Sequence, residues 1–239
     1  MERYQNLNLN YINGTWRAGS SDQNIVVSNP YQGDELAVFQ AATLEDINEA
    51  YEAAAAKQQA WADVNPYQVN AIMNHAVQIM KDRYEEIIDL LVREAGSTIL
   101  KAHIELDSCI GVTARAAIYP FHMETQVSRS LIPDKMNYTI KKAAGVVGVI
   151  GPFNFPMFLA MRTVAPALAA GNGVVLKPAS TTPITGGTLL AKIFEEAGVP
   201  AGVFSVVVPK TSEIGDGFYS HPIPDVISFT GSTDVGKRI

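Results

Sequence analysis

The chain has a single cysteine, Cys109, among 239 residues. No internal disulfide can form, which fits a reducing, cytoplasmic compartment. Its four histidines, His75, His103, His122 and His221, are scattered without ligand spacing, so no metal site is expected. There is no long Lys/Arg cluster and the formal net charge is −6. That argues against nucleic acid or an anionic membrane as a partner. The first residues, Met-Glu-Arg-Tyr-Gln-Asn-Leu-Asn, lack the apolar core of a secretory leader. Internal repeats and low-complexity tracts are also missing.

One uncharged stretch, Ala143 to Met161, is long enough to raise the question of a membrane span. Gly145, Gly148, Gly151, Pro152, Asn154 and Pro156 interrupt it. They divide it into a strand, a turn and a helix start, and no membrane is expected. With 47% hydrophobic and 18% charged residues the composition is that of an ordinary globular protein. The length suffices for one substantial core.

Residues 8–40 read as a small β lead-in. Asn10-Tyr-Ile-Asn-Gly-Thr-Trp16 is a strand with an Asn-Gly turn, and Asn29-Pro-Tyr-Gln-Gly33 is a second turn. Three helices are expected next. Thr43-Leu-Glu-Asp46 is a capping-box pattern ahead of an Ala-rich helix reaching about Trp61. Asn65-Pro66 opens a second helix that Gly96 ends. Ile72, Ala76, Ile79, Ile87, Leu90 and Leu91 form its apolar face. A third runs from about Thr98 to Tyr119. Helical periodicity then disappears over 121–144, where Asn137–Lys142 alternates like a half-exposed antiparallel strand.

From Gly145 the pattern changes. Apolar strands at Val146–Ile150, Gly173–Lys177, Val203–Val208 and Val226–Thr230 alternate with helices at Pro156–Ala170, Pro183–Ala197, Ser212–Tyr219 and from Ser232. This is the signature of βαβ units and a parallel sheet covered on both faces.

Several residues past those strands could carry chemistry. Asn154, in Gly151-Pro-Phe-Asn-Phe-Pro156, could donate to a developing oxyanion or could satisfy its own backbone in a turn. Lys177 ends a strand, where ligands bind in such sheets, or it simply faces solvent. Gly231 and Ser232, in Phe229-Thr-Gly-Ser-Thr-Asp-Val-Gly236, could hold a pyrophosphate at a helix start, or Ser232 could be only an N-cap. Cys109, mid-helix in Leu106-Asp-Ser-Cys-Ile-Gly111, lacks the helix N-terminus or cationic neighbour of a reactive thiol and reads as a packing residue. His103, six residues away, does not share its helix face.

Taken together, Gly151-Pro-Phe-Asn-Phe-Pro156, Leu176-Lys-Pro178, Glu195-Ala-Gly-Val-Pro-Ala-Gly202 and Phe229–Gly236 resemble the aldehyde dehydrogenase superfamily, in its N-terminal portion. Ile12-Asn-Gly-Thr-Trp16 and Asn29–Gly33 are similar to that family's first strands. The resemblance covers essentially the whole chain in order. It implies an α/β fold: a Rossmann-like parallel sheet with flanking helices, preceded by N-terminal strands and helices. Residues 1–120 would be the first part of the cofactor-binding domain, 121–144 an antiparallel oligomerisation arm, and 145–239 the incomplete NAD(P)-binding βα units.

The resemblance also implies roles. Asn154 would be the oxyanion donor. Lys177 would bind the adenosine ribose, Gly231 and Ser232 the pyrophosphate, and Ile150 and Pro152 would line the nicotinamide cleft. The family often has a glutamate three residues after this lysine, which grips the ribose hydroxyls and repels a 2′-phosphate. Here that position is Ser180, so NADP stands beside NAD. Lys177–Gly187 and Ser212-Glu-Ile-Gly-Asp216 look most like the benzaldehyde and vanillin dehydrogenase branch.

The family's nucleophilic cysteine and general-base glutamate lie beyond its Gly-Ser-Thr segment. The expectation is therefore a chain truncated before the catalytic domain, a fragment inactive alone. The full-length protein would oxidise an aldehyde, aromatic by the branch resemblance, to its acid, and would be a homo-oligomer. The alternative is an inactive nucleotide-binding or interaction module, if the chain naturally ends here. The Ser180 argument is tested by Ser180→Glu: NADP+ binding should weaken relative to NAD+, measured as the ratio of the two dissociation constants.

Overall fold

A computed structural model describes residues 2–239. The Asn-Gly turn joins β1 (Asn10–Ile12) to β2 (Thr15–Arg17) in an antiparallel hairpin. Asn13 and Gly14 both have positive φ, 51° and 78°, as a two-residue hairpin loop requires. A second ladder pairs β3 (Asn24–Ser28) with β4 (Glu35–Gln40). In the turn between them the Asn29 carboxamide oxygen accepts from the N–H groups of Tyr31 and Gln32.

Helix α1 (Leu44–Ala62) starts at the expected capping box, with Thr43 Oγ1 and the Asp46 carboxylate exchanging bonds with each other's backbone N–H. The single helix expected from Asn65 to Gly96 is in fact two, α2 (Pro66–Asp82) and α3 (Tyr84–Ala95), broken at Arg83. Arg83 leaves helical geometry, at φ −104° and ψ 21°. Its guanidinium donates to the Glu2 carbonyl and the Glu86 carboxylate, pairs with Glu196 and lies 3.7 Å from the Tyr4 ring centroid. Glu2, Tyr4 and Glu196 are distant in sequence, so periodicity along 66–96 carries no trace of the break. Gly96, at φ 61°, ends α3 in the left-handed conformation. Helix α4 (Ile99–Ala116) follows, capped by Thr98. A short 3-10 turn, Tyr119–His122, leads to β5 (Gln126–Arg129) and β6 (Met136–Thr139). These form an exposed antiparallel hairpin separate from the main sheet.

The second half alternates as expected. It runs β7 (Val146–Ile150), α5 (Pro156–Ala169), β8 (Gly173–Lys177), α6 (Leu189–Ala197), β9 (Phe204–Val206), α7 (Thr211–Ile214), β10 (Val226–Phe229) and α8 (Thr233–Gly236). The helix expected to open at Pro183 begins instead with a π turn, Ile184–Thr188.

The main sheet has the order β10-β7-β8-β9-β1-β2. The first four strands are parallel, and β1 joins β9 antiparallel. The N-terminal hairpin thus extends the Rossmann-like sheet rather than standing apart from it. Side chains alternate across the sheet. Val146, Val175 and Val207 pack with Ile47, Ala50, Tyr51 and Ala54 of α1. Val147, Val149, Val174 and Leu176 pack in a larger core with α5 and α6. Helices α2, α3 and α4 contribute Met73, Ile87 and Leu106 to that second core.

Two glycines give opposite expectations. A Cβ on Gly148, in the middle of β7, would lie 2.5 Å from the Tyr51 hydroxyl and 2.7 Å from Ile227 Cδ1. Gly111, in α4, has open space where its Cβ would stand. Gly148→Ala should destabilise by ~1–3 kcal/mol through overpacking. Gly111→Ala should stabilise by roughly 0.5–1 kcal/mol through helix propensity. Chemical denaturation of both variants checks the contrast.

Candidate functional site

Three adjacent parallel strands end level with one another. Phe229 of β10 stands in register with Ile150 of β7, and Ile150 with Lys177 of β8. Two backbone bonds continue the ladder past the strands: Gly151 N–H donates to the Lys177 carbonyl at 3.0 Å and Thr230 N–H to the Ile150 carbonyl at 3.2 Å. The loops that carry the expected site residues therefore leave from one edge. This is the crevice outside the carboxyl ends where open α/β sheets bind ligands.

The loop after β7 carries Pro152, half-buried, and Asn154, exposed. No hydrogen bond of the Asn154 carboxamide to another described residue is formed, so it does not satisfy its own turn. Helix α5 begins at Pro156, and Phe155 gives it no side-chain cap. The cap comes from α4: Glu105 Oε1 accepts from the N–H groups of Met157 at 2.8 Å and Phe158 at 3.2 Å. Glu105 is fully buried, and Lys101 Nζ donates to its other oxygen at 2.8 Å. A buried carboxylate is tolerated when both a cation and N–H donors meet it, and the positive end of α5 adds to that.

Lys177 is largely covered, and no acidic group pairs with it among the described residues. Desolvation lowers its pKa from the usual lysine value. Ser180 lies exposed in the following loop. That loop runs into the π turn, whose first N–H groups are taken by another buried carboxylate. Glu94 of α3 accepts from Ile184 N–H at 2.7 Å and from Thr185 N–H at 2.6 Å. Burial pushes the Glu94 carboxyl up to about 7, against the opposing pull of its bonds to Thr185 and Ile184.

Past β10, Gly231 and Ser232 are exposed. A Cβ on Gly231 would lie 2.4 Å from the Phe229 ring, and one on Gly236 would lie 3.3 Å from it. These two glycines thus leave room for that ring beneath the loop. Ser232 Oγ accepts from Val235 N–H at 3.4 Å, so the serine does act as the N-cap of α8.

Cys109 is fully buried in α4, and burial together with Glu105 raises its thiol pKa well above the ordinary value. It is a packing residue, not a nucleophile. Among the described residues no three His, Cys, Asp or Glu side chains are grouped to hold a metal ion. No helix among them is long and apolar enough to cross a membrane, and Ala143–Met161 resolves into β7, its loop and the start of α5. Glu94 and Glu105 were not singled out from sequence. Their signal was a glutamate standing on the apolar stripe of its helix, beside Leu91 and Ile87 in one case and Ala102, Leu106 and Cys109 in the other.

The profile of the aldehyde dehydrogenase family matches residues 16–239. The chain is 49% identical over its whole length to benzaldehyde dehydrogenase YfmT of Bacillus subtilis, covering 49% of that protein. It is 46% identical to vanillin dehydrogenase of Corynebacterium glutamicum over 95% of the chain and 47% of that protein. The crystal structure of an NAD-dependent benzaldehyde dehydrogenase from Corynebacterium glutamicum superposes with a TM-score of 0.95 at 46% identity. That match covers 97% of this chain and 50% of the other. The chain spans about half the length of the curated relatives it matches.

Glu94 generates a prediction with a definite sign. Its folded pKa, about 7, lies above the ordinary 4.5, so between those values the folded protein keeps a proton that the unfolded chain releases. The Glu94 contribution to stability is therefore fully present below pH 4.5 and declines as pH rises through about 7. Thermal melts of the parent and of Glu94→Gln from about pH 5 to about pH 8 check this. The deficit of the variant should shrink as pH rises.

Proposed function

The chain belongs to the aldehyde dehydrogenase family, and from that premise we propose that it forms the cofactor-binding half of an NAD(P)-dependent enzyme oxidising an aromatic aldehyde to its carboxylic acid. The observation that carries the reading is the level register Phe229–Ile150–Lys177, which gathers the loops bearing Asn154, Ser180 and Ser232 at one edge. The names of the benzaldehyde and vanillin dehydrogenases among its relatives support an aromatic substrate.

The residues present fit a dinucleotide. Lys177, largely covered and without an acidic partner among the described residues, has donors left for the adenosine ribose hydroxyls. Ser180, three residues on, is neutral and exposed, so a 2′-phosphate meets no carboxylate from that position and NADP stands beside NAD as the cofactor. Gly231 and Ser232 approach the pyrophosphate. Ile150 and Pro152 border the nicotinamide. When bound, the oxidised nicotinamide accepts hydride from the aldehyde carbon.

Asn154 carries the chemistry this chain supplies. Attack of a cysteine thiolate on the aldehyde places negative charge on the former carbonyl oxygen. The unbonded Asn154 carboxamide donates to that oxyanion as the charge develops, a role worth most where the donor is already in place. Loss of hydride then leaves a thioester, which water hydrolyses to the acid. Cys109 cannot be the nucleophile, because it is fully buried in α4. The thiol and the general base come from polypeptide beyond residue 239 in the full-length protein. The exposed β5–β6 hairpin, with Val127, Met136 and Tyr138 facing solvent, serves as an arm between subunits. A two-stranded ribbon gains stability by pairing with more chain.

Two measurements test the reading. The intact mass of the protein from its native host should lie well above the 25.8 kDa of this chain. A mass of 25.8 kDa would leave nucleotide binding without dehydrogenase chemistry. In the full-length enzyme Asn154→Ala should lower kcat by ~10²–10³-fold, the usual effect of deleting an oxyanion donor. An unchanged kcat would remove Asn154 from the mechanism.

A further inference from the structure

We propose that Glu105, fully buried in α4, is a positioning residue that holds Asn154 in its donating place, with Lys101 as its partner. The inference rests on the oxyanion role of Asn154. Three observations carry it. First, the Glu105 carboxylate takes the N–H groups of Met157 and Phe158, in the first turn of α5. Those residues are three and four positions after Asn154, and Phe155 supplies no cap of its own. Second, Lys101 bonds to Glu105 at 2.8 Å and also lies 4.5 Å from the centroid of the Phe155 ring. It thereby touches the neighbour of Asn154 as well as the carboxylate. Third, Asn154 itself has no hydrogen bond to another described residue and sits on the surface. Nothing in its own side chain fixes it, so its place is set by what fixes the segment that follows.

The physical argument is one of preorganisation. An oxyanion donor lowers the barrier only if it need not be brought into place during the reaction. A free amide on an exposed loop meets that condition only when the backbone beside it is held. Glu105 reaches α5 from a different helix, so it ties the loop to the α4 layer rather than merely completing α5. The two bonded N–H groups fix the helix start, and the stacked Lys101 restrains Phe155. The carboxylate stays with its partners throughout the reaction and touches no reacting atom.

The test is a double-mutant cycle in the full-length enzyme. Glu105→Ala should lower kcat by roughly 10–100-fold, with the dissociation constant for the dinucleotide unchanged within about twofold. In the Asn154→Ala background the same substitution should have an effect under about twofold, because Glu105 acts through Asn154. Glu105→Gln keeps an acceptor oxygen and the side-chain volume but loses the charge, and should lower kcat by only about threefold to tenfold. If Glu105→Ala does not fold, Glu105→Gln takes its place in the cycle. Its loss should then be about threefold to tenfold and should vanish without Asn154.

An effect of equal size in both backgrounds would overturn the inference, as would an unchanged kcat. If Asn154→Ala alone left kcat intact, the oxyanion reading would fail instead. A second readout needs no activity. Amide exchange of Met157 and Phe158 in the full-length enzyme should accelerate by about tenfold in Glu105→Ala and by less in Glu105→Gln, with α6 unaffected. Uniform acceleration, or none, would overturn the local role.

Discussion

A parallel sheet must be covered on both faces, and most of this structure follows from that requirement. Strands β7, β8, β9 and β10 are joined side by side in parallel, so each connection crosses back over a face of the sheet. Helix α1 covers one face through Tyr51 and Ala54, and α5 and α6 cover the other. The same topology sends every strand's carboxyl end in one direction. The loops after β7, β8 and β10 are therefore neighbours, although their residues are far apart in the chain. The site edge is a consequence of covering the sheet.

Helix starts placed at that edge expose N–H groups that need partners. The molecule meets this need at two of the loops with carboxylates drawn from the outer helices. Glu105 of α4 serves the start of α5, and Glu94 of α3 serves the π turn before α6. Their electrostatics differ. Glu105 has Lys101 beside it, whereas Glu94 is met by N–H and hydroxyl donors; burial raises the affinity of Glu94 for a proton, and those donors only partly oppose it. Each contact joins the outer helical layer to a loop at the strand ends, so packing far from the edge restrains what stands on it.

Much of this was legible in the residues, for local reasons. The Asn13-Gly14 turn, the Thr43 capping box and the closing glycines Gly96, Gly171 and Gly198 are decided by φ and by bonds spanning three or four positions. The βα alternation from Gly145 follows from apolar runs of strand length between helical periods. The break at Arg83 was hidden because its partners Glu2, Tyr4 and Glu196 come from distant parts of the chain. The joining of β1 to β9 was hidden for the same reason: Tyr11 pairs with Val206. The carboxylates of Glu94 and Glu105 stood on apolar stripes, but a stripe does not say which N–H groups wait opposite.

By itself the sequence determined the element types, the family, and the identity of the residues at the strand ends, because period, capping and turn chemistry act over a few positions. Only the tertiary structure decided that Phe229, Ile150 and Lys177 lie level with one another, since strand register is a relation between segments. It alone also decided that α5 is capped from α4. Those are questions of which surfaces meet, and a linear order of residues leaves them open until the chain has packed.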